Sequence, residues 1–199
     1  MRPFPHLAAL LAAVFSTHVC SPASAQDPRE KPKELDVLRN YAGATIGTPI
    51  QPTPPEVQKL DVFLGERDVE FIHRPSIVSP QGSTAKGTTS GQWTLDGRFL
   101  LGQTKLSSFE STWVMGYDAN RKAYRYVLFG SNGRMEENVG QWNEAERVFE
   151  WQLVNGPPGF TRTSITRRLD DHTLESRSVT KNGEGKVQMD LTIKGTRRK

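Results

Sequence analysis

Cysteine is almost absent from this 199-residue chain: Cys20 is the only one. It lies in the first 25 residues, which carry the features of an export signal. Arg2 supplies the positive start, Leu7 to Phe15 the apolar stretch, and Ala23-Ser24-Ala25 a small-residue cleavage site before Gln26. Thr17-His18-Val19 in front of Cys20 lack the pattern of a lipidation site. Cleavage after Ala25 removes the cysteine, which excludes disulfides, thiol catalysis and cysteine-ligated metals from the mature protein. Histidine is also scarce. Of four residues, His6 and His18 fall in the signal and only His73 and His172 remain, too few for a zinc site without cysteine. No apolar run reaches the ~20 residues of a membrane-spanning helix.

A strong charge of one sign is lacking too. Twenty-six basic residues face 22 acidic ones, for a net charge of +4. That excess, partly in Arg167, Arg168, Arg197, Arg198 and Lys199, is too mild and too scattered for a nucleic-acid face. Catalytic motifs are missing as well. There is no Gly-x-Ser-x-Gly, no phosphate loop and no dinucleotide fingerprint. Glu136 and Glu137 are adjacent, so a strand sends them to opposite faces and they cannot share one substrate atom. The residues call for no cofactor and define no enzyme.

What the chain does contain is alternation. Residues 26–55 are polar and proline-rich and read as a tether, with a short helix predicted at Lys33 to Tyr41. Thr53-Pro54-Pro55-Glu56 then resembles a capping box, and Val57, Leu60, Phe63 and Leu64 form the apolar stripe of a helix that Gly65 ends. From Arg67 to the C-terminus the period is two. Ten segments alternate between apolar and polar, separated by turn residues such as Asp96-Gly97, Asp118 to Lys122, Gly130 to Gly133 and Asn155 to Gly159. Asp96-Gly97 predicts a two-residue hairpin turn with glycine at positive φ.

Short connections make next-neighbour antiparallel pairing the economical topology, and closure removes the two exposed edges of an open sheet. The expected fold is therefore all-β, an up-and-down barrel of ten strands over residues 56–199. Alternation places Trp113, Met115 and Tyr117 on one face and Phe149, Trp151 and Leu153 on one face. Val187, Met189, Leu191 and Ile193 share a third. For Ala123 to Phe129 both faces are apolar and direction is not set.

The motifs resemble the domain-of-unknown-function family 1579. The residues that carry the resemblance are Leu60-x-x-x-Leu64-Gly65-Glu66, Trp93-Thr-Leu-Asp-Gly-Arg-Phe-Leu100, Met115-Gly-Tyr-Asp118 followed by Lys122-x-Tyr124, Gly140-x-Trp142 and Thr196-Arg-Arg-Lys199. The family looks like a relative of lipocalin and fatty-acid-binding barrels, and this implies no known activity. One departure stands out. Family members place tryptophan two residues after the helix-ending glycine, where it plugs one end of the barrel, and this chain has Arg67.

A barrel of this size can enclose a cavity. The expected ligand-facing residues are Trp93, Arg98, Trp113, Met115, Tyr117, Tyr126, Phe149 and Trp151, with Arg98 either on the rim or acting as an inward counter-ion. The aromatic residues among them form either a packed core or a cavity wall. Three functions follow: an exported barrel (periplasmic or extracellular) for a small lipophilic molecule, a filled structural or partner-binding barrel, and a haem barrel using His73 or His172.

Overall fold

The structure is a computed structural model, which describes residues 52–198. The signal segment, most of the tether and the helix expected at Lys33 to Tyr41 lie outside the described residues. Gln51–Lys199 forms one compact unit.

A 3-10 helix, Pro55–Phe63, leads into ten strands. They are β1 Gly65–His73, β2 Ser83–Thr94, β3 Phe99–Leu106, β4 Glu110–Asp118, β5 Ala123–Gly130, β6 Met135–Asn143, β7 Val148–Leu153, β8 Phe160–Arg168, β9 Thr173–Asn182 and β10 Val187–Arg197. Each pairs antiparallel with its sequence neighbour, and β1 pairs with β10 from Arg67↔Arg197 to His73↔Leu191, closing the barrel. Four hairpin turns and the helix lie at one end; the other five turns lie at the opposite end, the mouth. Directly opposed residues share a face. The inward set therefore includes Met115, Tyr126, Asn138 and Leu153 in one row, and Trp151, Ser164, Ser178 and Leu191 in another. On β5 it is Tyr124, Tyr126 and Leu128 that point inward.

Three local expectations are corrected. The helix is 3-10 along its whole length, and no side chain caps it: Val57 N–H donates to the Pro54 carbonyl at 3.0 Å instead. Val57, Leu60 and Phe63 recur at every third residue, the spacing a 3-10 helix eclipses, and Val57 and Leu60 are buried. The helix stops at Phe63, and Gly65, at φ +85°, turns the chain into β1 rather than ending the helix.

The Asp96-Gly97 turn is also wider than two residues. Thr94 opposes Phe99, leaving four residues between, of which Leu95, Asp96 and Gly97 are successively left-handed. Finally, a bulge between Val187 and Met189 puts Val187 opposite outward Lys181, so it leaves the face of Met189, Leu191 and Ile193.

The other turns follow the expected chemistry. Asp118 Oδ1 accepts the Asn120 and Arg121 N–H groups at 3.1 Å, as an aspartate that shapes its own turn should. Among the described residues no helix is long and apolar enough to cross a membrane.

The turn after β2 yields a stability test. Gly97 sits at φ +75°, and no atom lies within 4 Å of the point where a side-chain carbon would stand, so strain alone opposes substitution. Gly97→Val is expected to lower the unfolding free energy by about 1–2 kcal/mol, the cost of a left-handed non-glycine residue. An unchanged urea midpoint would show that the turn relaxes.

Candidate functional site

One half of the interior is a continuous aromatic cluster. Ring centroids step from Tyr117 to Tyr124 (5.0 Å), Phe149 (5.0 Å), Trp151 (5.4 Å), Tyr126 (6.0 Å) and Trp113 (6.4 Å). Pairs in stacked and edge-on geometries of this kind contribute about 0.5–1.5 kcal/mol each beyond area burial. Glycines make room for the two largest rings. Gly102 opposes Trp113 and Gly140 opposes Trp151, and a methyl group would lie 2.1 Å and 2.4 Å from the respective indoles.

Six expected site residues, Trp113, Met115, Tyr117, Tyr126, Phe149 and Trp151, thus meet inside the barrel. Trp93 also packs against this cluster, on the inward face it shares with Leu100 and Met115, and only Arg98 does not join them. Trp93 stands beside the helix, its indole N–H donating to Asp61 at 3.1 Å. Arg98 belongs to the turn between β2 and β3, at the helix end of the barrel.

Arg67 stands where the resemblance implies a tryptophan plug. It points inward at that same end, 5% exposed, and donates to the Val62 carbonyl at 2.7 Å and the His172 carbonyl at 2.9 Å. It thereby ties the helix to the turn between β8 and β9. Desolvation, and then the neighbouring Arg197 and Arg168, pull its pKa below the ordinary guanidinium value. Trp142 flanks the same end, edge-on to Phe149 at 4.8 Å between centroids and with Lys59 over its ring.

The other half of the interior is built from small residues. Ala85, Ser164, Ser176 and Ser178 face inward on β2, β8 and β9 yet remain partly exposed, as do the inward Phe71, Leu191 and Ile193. Tyr126 stands at the border between the halves. Desolvation pushes its phenol well above the ordinary 10, and yet the ring keeps some accessible surface.

Next to Tyr126 is a polar cluster that alternation alone did not flag. Arg162 donates two parallel bonds to Glu136 and a longer one, 3.4 Å, to Asn138 Oδ1. Arg134 also pairs with Glu136, from the mouth. All three members are buried: Glu136 8%, Asn138 3% and Arg162 8% exposed. Two donors there, Arg162 Nε and Asn138 Nδ2, have no partner. A buried donor left unmade costs about 1–3 kcal/mol, so both donors carry an unmet demand for an acceptor. Glu136 and Glu137 do point to opposite faces, since Glu137 bonds to outward Arg125.

His73 faces inward at the mouth end of β1, opposite Leu191 and Ser83, while His172 is exposed in a turn. Among the described residues no three metal-ligating side chains gather.

No family model matches the chain, and no curated protein matches it. Among solved structures it is similar to an S-type phycobiliprotein lyase from Guillardia theta, at TM-score 0.47 and 10% identity, over 74% of this chain and 99% of that one. It is also similar to a protein of unknown function of the DUF3598 family from Nostoc punctiforme, at TM-score 0.41 and 13% identity. That match covers 77% of this chain and spans about half, 53%, of the other.

Two measurements check this geometry. Trp113, 5% exposed, bonded to Thr104 at 3.3 Å and seated on Gly102, is part of a tight core. Trp113→Ala should therefore cost the full ~3–5 kcal/mol of a large buried aromatic; a loss below ~2 kcal/mol would mark the ring as cavity lining. The second uses pH. Burial raises the Tyr124 phenol from 10 to about 12. Its contribution is complete below pH 10, where the unfolded phenol is still protonated, and is lost as pH rises towards 12. Ultraviolet titration should show phenolate forming late, with stability falling across that window. Every tyrosine ionising near 10 in the folded protein would contradict it.

Proposed function

We propose that this chain is an exported barrel that binds a small lipophilic molecule carrying a hydrogen-bond-accepting head group. The observation that carries the reading is the pairing of partly exposed inward small residues, Ala85, Ser164, Ser176 and Ser178, with two unused buried donors, Arg162 Nε and Asn138 Nδ2. The apolar body would lie against Tyr126, Leu191 and Ile193, and the head group would take the two donors. Of the residues expected from sequence, Tyr126 is the one assigned to direct contact. Trp113, Met115, Phe149 and Trp151 act as the rigid wall behind it. Export, to the periplasm or beyond, rests on Arg2, Leu7 to Phe15 and Ala23-Ser24-Ala25. Membership in the domain-of-unknown-function family 1579 is part of the reading and rests on Trp93 to Leu100, Met115 to Asp118 and Gly140-x-Trp142.

A second reading has its own support. The ring-on-ring packing of the aromatic half is what a filled structural barrel would show. Displacement of a fluorescent lipophilic probe separates the two. A long-chain carboxylate is expected to displace the probe at least tenfold better than the hydrocarbon of equal length, and Arg162→Lys should erase that preference while keeping the charge opposite Glu136. A barrel that takes up no probe would decide for the filled interior. Export has a separate test: N-terminal sequencing of the protein from its host's extracytoplasmic fraction should begin at Gln26, and an intact Met1 recovered only from the cytoplasm would refute it.

A further inference from the structure

The described residues leave eleven large apolar side chains well exposed, and seven of them fall at the mouth. They form a connected arc. Phe129 (49% exposed) opposes Met135 (56%) across β5 and β6. Two residues further along β6, the Glu137 carbonyl accepts the N–H of Val154 (51%). The same loop ends in Phe160 (43%), which opposes Asn182, and Asn182 bonds Lys186 beside Val187 (38%). The Gln188 carbonyl then accepts the N–H of Val78 (64%), next to Ile77. The outward turn of Val187 at the β10 bulge is what adds it to this arc.

Charge along the arc has one dominant sign. Arg74, Arg134, Lys181 and Lys186 are exposed there, Arg134 also pairing with Glu136, against exposed Glu110 and Glu184. The acids nearest them are engaged: Glu136 with Arg162, Glu137 with Arg125 and Asp190 with Arg177. At the opposite end the exposed charges nearly cancel, acids such as Asp96, Asp170 and Asp171 being matched by Arg121, Arg147 and Arg167. The molecule therefore has an apolar mouth with a basic excess and a helix end of nearly balanced charge.

We propose that the mouth docks on an anionic lipid surface, with the apolar tips entering the headgroup boundary and the basic side chains meeting lipid phosphates. The charge selects this occupant. Apolar tips with interspersed cations are what binds an anionic interface. A second copy placed mouth to mouth would bring the two sets of Arg74, Lys181 and Lys186 together, which like-charge repulsion opposes. The inference does not require the interior to hold a ligand.

The test is flotation of the full chain with vesicles of phosphatidylglycerol and phosphatidylcholine, and with vesicles of phosphatidylcholine alone. The apolar run Leu7 to Phe15 is present in every variant, so its contribution cancels. Binding to the anionic vesicles should be at least tenfold tighter than to the zwitterionic ones. Val78→Asp with Phe160→Asp, and separately Lys181→Glu with Lys186→Glu, should each weaken it at least tenfold without moving the melting temperature. Leu95→Asp, an exposed apolar residue at the other end, should leave it unchanged. Three results would each overturn the proposal: mouth variants that float like the parent protein, a parent protein that floats equally with both vesicles, or a dimer in native mass spectrometry that the mouth variants dissolve.

Discussion

Closure between the first strand and the last is the constraint on which the rest of this structure depends. A barrel seam joins residues far apart in sequence, so its loop-closure entropy is offset only after the other strands are in place. Here the seam runs from Arg67↔Arg197 to His73↔Leu191. Arg67 stands at its end and bonds a helix carbonyl and a turn carbonyl at once. Those two neutral acceptors hold the guanidinium against desolvation and the repulsion of Arg197 and Arg168. One side chain thus fastens the helix over the barrel end, next to the seam that makes the sheet a barrel.

Closing ten strands also creates more interior than evenly sized side chains would fill. This chain divides the problem between two halves. Aromatic residues from β4, β5 and β7 pack ring against ring and supply much of the buried apolar surface. Serine and alanine on β2, β8 and β9 face inward on the other side and stay partly exposed, so a change there need not disturb the aromatic core. The Glu136–Arg162 pair lies where the halves meet on the mouth side. It can form because β7 is short: Leu153 ends it opposite Asn138, so beyond that point Arg162 on β8 reaches past to β6.

Strand number, order and the inward faces of β4 and β7 were legible in the sequence, because a half-buried strand must alternate and short turns permit little but neighbour pairing. Asp118 as a turn former was legible for the same local reason. The departures are places where a competing force acts. Proline pairs and a three-residue apolar spacing favoured 3-10 geometry over the α-helix that the capping pattern suggested. Asp96-Gly97 carries the positive φ it should, but Leu95 shares it, and dipeptide chemistry does not report the residue before it. The β10 bulge shifts parity without any glycine or proline to mark it. The polar cluster was hidden because its partners sit on strands separated by β7. Only the inward spacing of Glu136 and Asn138, two polar residues on the face otherwise given to Gly140 and Trp142, offered a sign of it.

The seating of the two large indoles on glycines ties positions on neighbouring strands into units of inheritance. Trp113 needs Gly102, and Trp151 needs Gly140, because each ring occupies the volume where its opposite residue would carry a side chain. Enlarging the glycine first collides with the ring, and shrinking the ring first opens a void over bare backbone. Divergence at either site must therefore cross a destabilised intermediate or exchange both partners together. The route by which such a barrel could trade its aromatic wall for a wider chamber is two paired replacements, not a gradual trimming of single residues.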